Sequence, residues 1–357
     1  MSGNFRKKNA HSHTFSIRFG TGSRQKRAKS VMPVFLPFSG CPMHCVYCAQ
    51  DRQTGSTAPS PVAAIIADAE KALNEMPPCA EFGPRELAFY GGTFTALPAE
   101  ERRACLALLE RARTSGRITH ARCSTRPDAL APAVLDELHD AGISLIELGI
   151  QSFDSTALSA SRRGYSGEAA LEACRIVQEA GFELGIQLLP GMPGCTPEVF
   201  LKDAEQALAL RPSCLRFYPC LVPEGTVLAR WLAEGRHAPW TLEQTVAVLG
   251  RALCRAWQES VPVIRLSVAP EPAFDAAVLA GPRHPALGAL IQAEALLCAV
   301  QDAAAKLGRP PLSLVLPRFC QGFIYGERGS LRPRWAELGL TPERIFFENV
   351  EQAELRG

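Results

Sequence analysis

Ser39-Gly-Cys-Pro-Met-His-Cys-Val-Tyr-Cys-Ala-Gln50 follows directly on an apolar, strand-like run from Val31 to Phe38 and places three thiols, Cys41, Cys45 and Cys48, in a loop opened by Gly40 and Pro42. A cubane iron–sulfur cluster is usually held by four cysteine thiolates. Three would leave one iron open to an external ligand, which chemistry at the metal requires and electron storage does not. Two other readings of these residues stand beside it. His44 would supply a fourth ligand for zinc, although structural zinc sites normally use two separated ligand pairs. The thiols would otherwise be solvated loop cysteines.

Outward from this loop, short apolar runs alternate with amphipathic segments, the pattern of repeated βα units and a parallel sheet. Strands are expected near 32–38, 86–90, 120–124, 143–150, 183–189, 214–219 and 262–268, and helices over 62–75, 99–113, 132–141, 166–180, 197–210 and 241–259. Pro61, Pro98, Pro132 and Pro197 sit at or near helix starts, and Gly116, Gly142 and Gly181 follow helices as C-caps. Six such units and one further strand read as an α/β fold, a partial (β/α)6 TIM-like barrel over residues 31–268. The rhythm changes after Ala269. Proline-rich sequence leads to a long helix-like segment from Ala286 to Leu307, so residues 269–357 are read as a mostly helical C-terminal extension.

The next strand offers Ala88-Phe-Tyr-Gly-Gly-Thr-Phe-Thr95, ending in two glycines and two hydroxyl residues. Parallel βα folds bind ligands at the C-terminal ends of their strands, and glycines let backbone amides and carbonyls approach a ligand closely. Side-chain parity adds a second argument. Residues i and i+2 share one face of a strand, and barrel strands covered on both sides should be apolar on both. Here Glu147, Gly149 and Gln151 share one parity, as do Glu183, Gly185 and Gln187; Arg122, Ser124 and Arg126; Arg216 and Tyr218; and Arg265 and Ser267. Unpaired charges in a packed core cost several kcal/mol each. These positions are therefore expected to line a polar lumen. Its arginines, Arg126, Arg216 and Arg265 with Arg162 and Arg163 just beyond the fourth strand, suit carboxylate or phosphate; any one could instead be a structural ion pair, such as Arg216 with Glu147 or Glu183.

The C-x3-C-x2-C loop with Tyr47 before its last cysteine resembles the radical S-adenosylmethionine (radical SAM) superfamily. Glu147-Leu-Gly-Ile-Gln-Ser152, Ser161-Arg-Arg-Gly-Tyr165, Gly185-Ile-Gln-Leu-Leu-Pro-Gly-Met-Pro-Gly194 and Ser124-Thr-Arg-Pro-Asp128 resemble the radical SAM domain of the Elongator catalytic subunit and, more distantly, oxygen-independent coproporphyrinogen dehydrogenase. The resemblance covers roughly residues 31–268. It implies a radical SAM type barrel and a 4Fe-4S cluster on Cys41, Cys45 and Cys48, the metal-binding and catalytic cysteines. The free iron would chelate S-adenosyl-L-methionine, whose cleavage to a 5′-deoxyadenosyl radical would abstract hydrogen from substrate. It also implies an external one-electron donor of flavodoxin or ferredoxin type. Tyr47, Gly91, Gly92, Thr93, Ser124, Arg126, Gln151, Arg163 and Gln187 would form the cofactor site. Of these, Gln151 and Arg163 would contact ribose or carboxylate, and Gly185 to Gly194 would shape the adenine pocket. Relatives usually carry histidine where this chain has Tyr165. They also place an acetyl-coenzyme A-dependent acetyltransferase after the radical domain, for which the residues after Ala269 are expected to be too few. The implied substrate is a tRNA nucleoside; a small carboxylate-bearing metabolite, or a non-catalytic iron–sulfur or zinc sensor, are the alternatives.

The 357 residues, 47% hydrophobic and 21% charged, are enough for a substantial core. No stretch reads as a membrane span and no apolar signal core follows the basic start, so the chain is expected to be cytoplasmic, with its thirteen cysteines reduced. Residues 1–30 hold eight bases and no acid, while residues 31–357 hold 30 bases against 36 acids. A basic N-terminal arm on a mildly acidic body suits RNA, and equally a solvated tail.

Overall fold

The computed structural model describes residues 14–18, 30–53, 60–268 and 271–357. Strand β1 (Thr14–Ile17) belongs to a C-terminal sheet described below. The main sheet then follows the chain: β2 (Ser30–Phe35), β3 (Arg85–Tyr90), β4 (His120–Thr125), β5 (Leu145–Gln151), β6 (Glu183–Leu188), β7 (Cys214–Phe217) and, after the short β8 (Val222–Pro223), β9 (Val263–Arg265). Every neighbouring pair is parallel, giving a curled half-barrel of seven strands. All seven expected strands are present.

Helices Val62–Glu75, Ala99–Thr114, Pro132–Asp140, Gly167–Glu179, Pro197–Ala209 and Leu242–Gln258 alternate with these strands. Ser166, Thr196 and Thr241 accept a backbone N–H three residues on and cap three of them. Leu87, Phe89, Cys123, Ile146, Leu148, Ile186, Leu215 and Phe217, alternate residues of the strands, are buried in the core shared with the helices. The opposite parity carries the charged residues. That division leaves one polar side at the centre of the half-barrel.

Past the half-barrel, β10 (Val278–Ala280) pairs antiparallel with β8. Helix Leu287–Leu307 leads to β11 (Ser313–Pro317), β12 (Ile345–Glu348) and β13 (Ala353–Arg356). These strands and β1 form a four-stranded sheet in the order β1, β13, β11, β12. Thr14–Ile17, within the stretch read as a basic arm, thus runs antiparallel to Ala353–Arg356. Of the eight arm bases only Arg18 falls among the described residues.

Leu287–Leu307 corrects one expectation. Its 21 residues are long and apolar enough to cross a membrane by length and composition, with a mean hydropathy of 1.3. A helix apolar all round is also what a protein interior demands. Ile291, Ala293, Ala295, Leu296, Leu297 and Val300 are fully buried, and Glu294 pairs with Arg334 at 2.6 Å. The helix lies against Leu242–Gln258, with Gln258 Nε2 donating to Asp302 Oδ2 at 3.0 Å.

Candidate active site

The cysteine loop and the glycine ledge form one hydrogen-bonded unit. Leu36 N–H donates to the Tyr90 carbonyl at 2.7 Å and Thr93 N–H to the Ser39 carbonyl at 2.8 Å, tying the loop after β2 to the end of β3. Gln50 completes the tie: its Oε1 accepts the N–H groups of Phe38 at 2.6 Å and Gly92 at 3.0 Å. Gly92 has φ +53°, and a Cβ there would fall inside the Ser39 carbonyl oxygen. Only glycine closes this contact.

Thiol surroundings differ. Thr93 Oγ1 lies 3.3 Å from Cys41 Sγ. Burial pushes the Cys41 thiol up, and that of Cys48 to about 12, with Cys45 and Cys41 adding to the latter. Cys45 receives Arg163 Nη1 at 3.1 Å and Arg126 Nη1 at 3.9 Å. The thiols are within electrostatic reach of one another. Among the described residues, however, no three His, Cys, Asp or Glu side chains converge as ligands of a single metal ion. The buried Tyr47 hydroxyl, which burial raises well above the ordinary phenol value, has no hydrogen-bond partner among the described residues. It is a donor beside the thiols that a polar ligand would satisfy.

The lumen floor is a buried charge network. Arg122 bridges Glu86 and Glu147, its Nη1 reaching Glu147 Oε1 at 2.9 Å. Arg216 meets Glu147 Oε2 at 2.6 Å and donates to the Tyr90 hydroxyl at 2.6 Å and the Tyr218 hydroxyl at 3.0 Å. Gln187 Nε2 donates to Glu147 Oε2 at 2.9 Å and Ser124 Oγ at 3.1 Å. Burial alone would raise the Glu147 carboxyl, but Arg216 and Arg122 outweigh it and hold the group below the ordinary range.

Above this floor, Gln151 has φ +69° at an irregularity in the β5–β6 pairing, and its Nε2 lies over Gly149, where a Cβ would stand 3.0 Å away. Asp203 fixes the turn that follows, accepting Ser152 Oγ at 2.5 Å and Phe153 N–H at 2.8 Å.

The structure brings Tyr47, Thr93, Arg126 and Arg163 around the cysteines, with Gly91 and Gly92 on the ledge, and joins Ser124 to Gln187 lower in the lumen. Of the five arginines expected in the lumen, only Arg126 and Arg163 stand by the cysteines. Arg216 is spent on Glu147, while Arg162 and Arg265 are exposed, the latter on the edge strand β9. Gln50, Tyr165, Asp203 and Asp128 were not among the expected site residues. Gln50 alone had a local signal, two positions after Cys48. Asp128 and Tyr165 each hold an arginine two residues away, Arg126 and Arg163, and Asp203 acts through Ser152 and Phe153, distant in sequence.

A parallel half-barrel with thiols, glycine ledge and polar lumen at the C-terminal ends of its strands defines a cofactor-dependent barrel enzyme. The Radical SAM superfamily model matches residues 35–207 and the Radical_SAM C-terminal domain model residues 212–296. The chain belongs to the radical SAM superfamily and is an enzyme of that class. It is 29% identical over 187 residues to tRNA uridine(34) acetyltransferase of Methanocaldococcus infernus, covering 47% of this chain and 35% of that one. With Elongator complex protein 3 of Homo sapiens the figures are 29% over 191 residues, 47% and 34%. The chain thus matches about a third of the length of these relatives. Methanocaldococcus infernus Elp3, N-terminally truncated, shares the fold with a TM-score of 0.56 and 21% identity over 79% of this chain and 64% of that one.

Proposed function

We propose that Cys41, Cys45 and Cys48 hold a 4Fe-4S cluster and that the ledge from Gly91 to Thr93 receives S-adenosyl-L-methionine beside it. The observation that carries this reading is the Gln50 carboxamide, which locks the cysteine loop onto the Gly92 amide. Metal and methionine sites are thereby held in fixed register. When bound, the cofactors supply one-electron cleavage of a carbon–sulfur bond and hydrogen abstraction from substrate. The chain's own part is positional and electrostatic. Arg126 and Arg163 offset thiolate charge, the Tyr47 hydroxyl and the Gln151 amide offer hydrogen bonds, and the neutralised Glu147 floor keeps the lumen polar without a net field. An external one-electron donor of flavodoxin or ferredoxin type completes the reaction.

The substrate that family resemblance supports is a tRNA nucleoside, since one relative named above is a tRNA uridine(34) acetyltransferase and the N-terminal arm is basic. Anaerobic reconstitution tests the chemistry: the wild type should show cluster absorbance and dithionite-dependent 5′-deoxyadenosine, and Cys45→Ala should lose both. Wild type lacking both would reject the reading. For RNA, replacing Arg6, Lys7, Lys8, Lys26, Arg27 and Lys29 by glutamine spares β1 and should flatten the salt dependence of tRNA binding. Equal slopes would remove the arm from the interface, and no tRNA binding by the wild type would favour a small carboxylate-bearing metabolite instead.

A further inference from the structure

Arg216 reaches across the lumen and gathers two tyrosines. Tyr218 N–H donates to the Leu188 carbonyl at 3.0 Å, so the pairing of β7 with β6 runs one residue past Phe217. Strand parity then turns the Tyr218 side chain to the same side as Arg216, one step nearer the C-terminal end. Arg216 Nη1 donates to the Tyr218 hydroxyl at 3.0 Å, and Nη2 to the hydroxyl of Tyr90 on β3 at 2.6 Å, with the guanidinium over the Tyr90 ring. The Tyr90 proton has Glu147 Oε1 at 3.4 Å. Among the described residues nothing accepts the proton of Tyr218, which is half-buried. Below the tyrosines the charges cancel: Arg122 and Arg216 stand against Glu86 and Glu147, all of them 8% exposed or less. An anion at this floor would find both arginines already paired. Drawing Arg216 away from Glu147 would leave a buried carboxylate short of a partner, at a cost of several kcal/mol. A neutral carbonyl needs only one donor.

We propose that Tyr218, oriented by Arg216, is a specificity-determining residue that donates its hydroxyl proton to a carbonyl oxygen of an uncharged heterocycle. The lumen then admits a neutral nucleobase and rejects a carboxylate or phosphate at the same depth. This rests on the cofactor reading above, which places the reactive end of the substrate in the lumen, and it decides between the two substrate classes named there. A tyrosine hydroxyl can donate and accept at once. Accepting a bond from a guanidinium polarises the O–H and strengthens it as a donor. A site built around such a donor discriminates through what stays unpaired when the wrong group enters. A carboxylate would gain one hydrogen bond here and keep its charge unbalanced, among groups that already sum to zero.

The test is equilibrium dialysis of labelled uridine, and of labelled orotidine, the same nucleoside with a carboxylate on its ring, against the reconstituted protein with S-adenosyl-L-methionine and without reductant. Wild type and Tyr218→Phe are compared, and affinity for S-adenosyl-L-methionine is measured on both. Wild type should hold uridine at least about tenfold tighter than orotidine. Tyr218→Phe should bind uridine about tenfold more weakly, leave orotidine unchanged and keep its affinity for S-adenosyl-L-methionine within about twofold of wild type. Equal or tighter binding of orotidine by the wild type overturns the proposal in favour of a carboxylate site. No uridine binding by the wild type overturns it as well, as does uridine affinity that Tyr218→Phe leaves unchanged. Weaker binding of S-adenosyl-L-methionine by Tyr218→Phe at unchanged uridine affinity would assign the hydroxyl to the cofactor instead. If Tyr218→Phe does not fold, the wild-type ratio of the two nucleosides decides alone. A wild type that loads no cluster overturns the cofactor reading, and dialysis of that iron-free chain still decides the floor by the same ratio.

Discussion

Glu147 and Arg216 meet across the floor of the half-barrel with Oε2 and Nε 2.6 Å apart, their side chains 1% and 9% exposed. Arg122 and Gln187 share the same carboxylate. Removing one member of a buried set strands the others. Glu147→Ala should therefore cost about 3–5 kcal/mol in the unfolding free energy, and Glu147→Gln less, since a carboxamide still accepts one hydrogen bond. Urea unfolding of the iron-free chain checks this. A loss within about 0.5 kcal/mol, as for an ordinary surface change, would contradict the network.

Asp203 should give the protein a distinctive pH response. Burial raises its carboxyl to about 6, against the lowering effect of its bonds to Ser152 and Phe153, with Asp154 pushing up and Lys202 down. A carboxyl raised by folding favours the folded state when protonated. Its contribution is complete below the unfolded value near 4 and is lost as pH rises through about 6. Over that window the change amounts to about 3 kcal/mol. Asp203→Asn should flatten the stability profile between pH 4 and 7 relative to wild type. Parallel profiles would rule the effect out.

Gln50 joins two backbone donors that no helix or strand satisfies. In Gln50→Ala the Phe38 and Gly92 amides lose their acceptor, at about 1 to 3 kcal/mol for each that stays buried. Iron content should persist because the cysteines remain. Calorimetric affinity for S-adenosyl-L-methionine should drop at least about tenfold as the ledge loosens. Affinity within about twofold of wild type would separate the ledge from the site.

Where the two long helices touch, Gly250 faces Glu294, and a Cβ on Gly250 would stand 2.5 Å from Glu294 Cγ and 3.3 Å from Ala295 N. Gly250→Leu should cost at least about 1–3 kcal/mol through overpacking, read as a lower thermal midpoint. An unchanged midpoint would mean that the helices part freely.

Much of the half-barrel was legible because its strands and helices repeat a period and end on proline, glycine and hydroxyl residues. Val62–Glu75 matches the expected 62–75, and β3 begins one residue before its expected start. Parity identified Glu147, Gln187 and Arg216 as inward-facing. It left Arg216 open between Glu147 and Glu183, and the register of adjacent strands settles it on Glu147. Edge position likewise leaves Arg265 exposed despite its parity. The C-terminal sheet escaped notice since its short strands do not follow the strand–helix alternation of the half-barrel, and Thr14–Ile17 finds its partner only at residues 353–356. Arg163 was legible as a site residue, but its aim at Cys45 was not. That aim follows from the turn at Arg162, with φ +56°, and from the Tyr165 hydroxyl.

The contact of Leu287–Leu307 with Leu242–Gln258 bears on what counts as a separable piece. A change of sequence rhythm near residue 269 invites a cut there, yet the two helices interlock through Gly250 and Glu294 across that line. A shortened chain ending at residue 268 would present to water the face of Leu242–Gln258 that the later helix covers. Division of labour along the chain is thus not division of stability: the helix after residue 269 covers one wall of the half-barrel, and heat should take both down in one step.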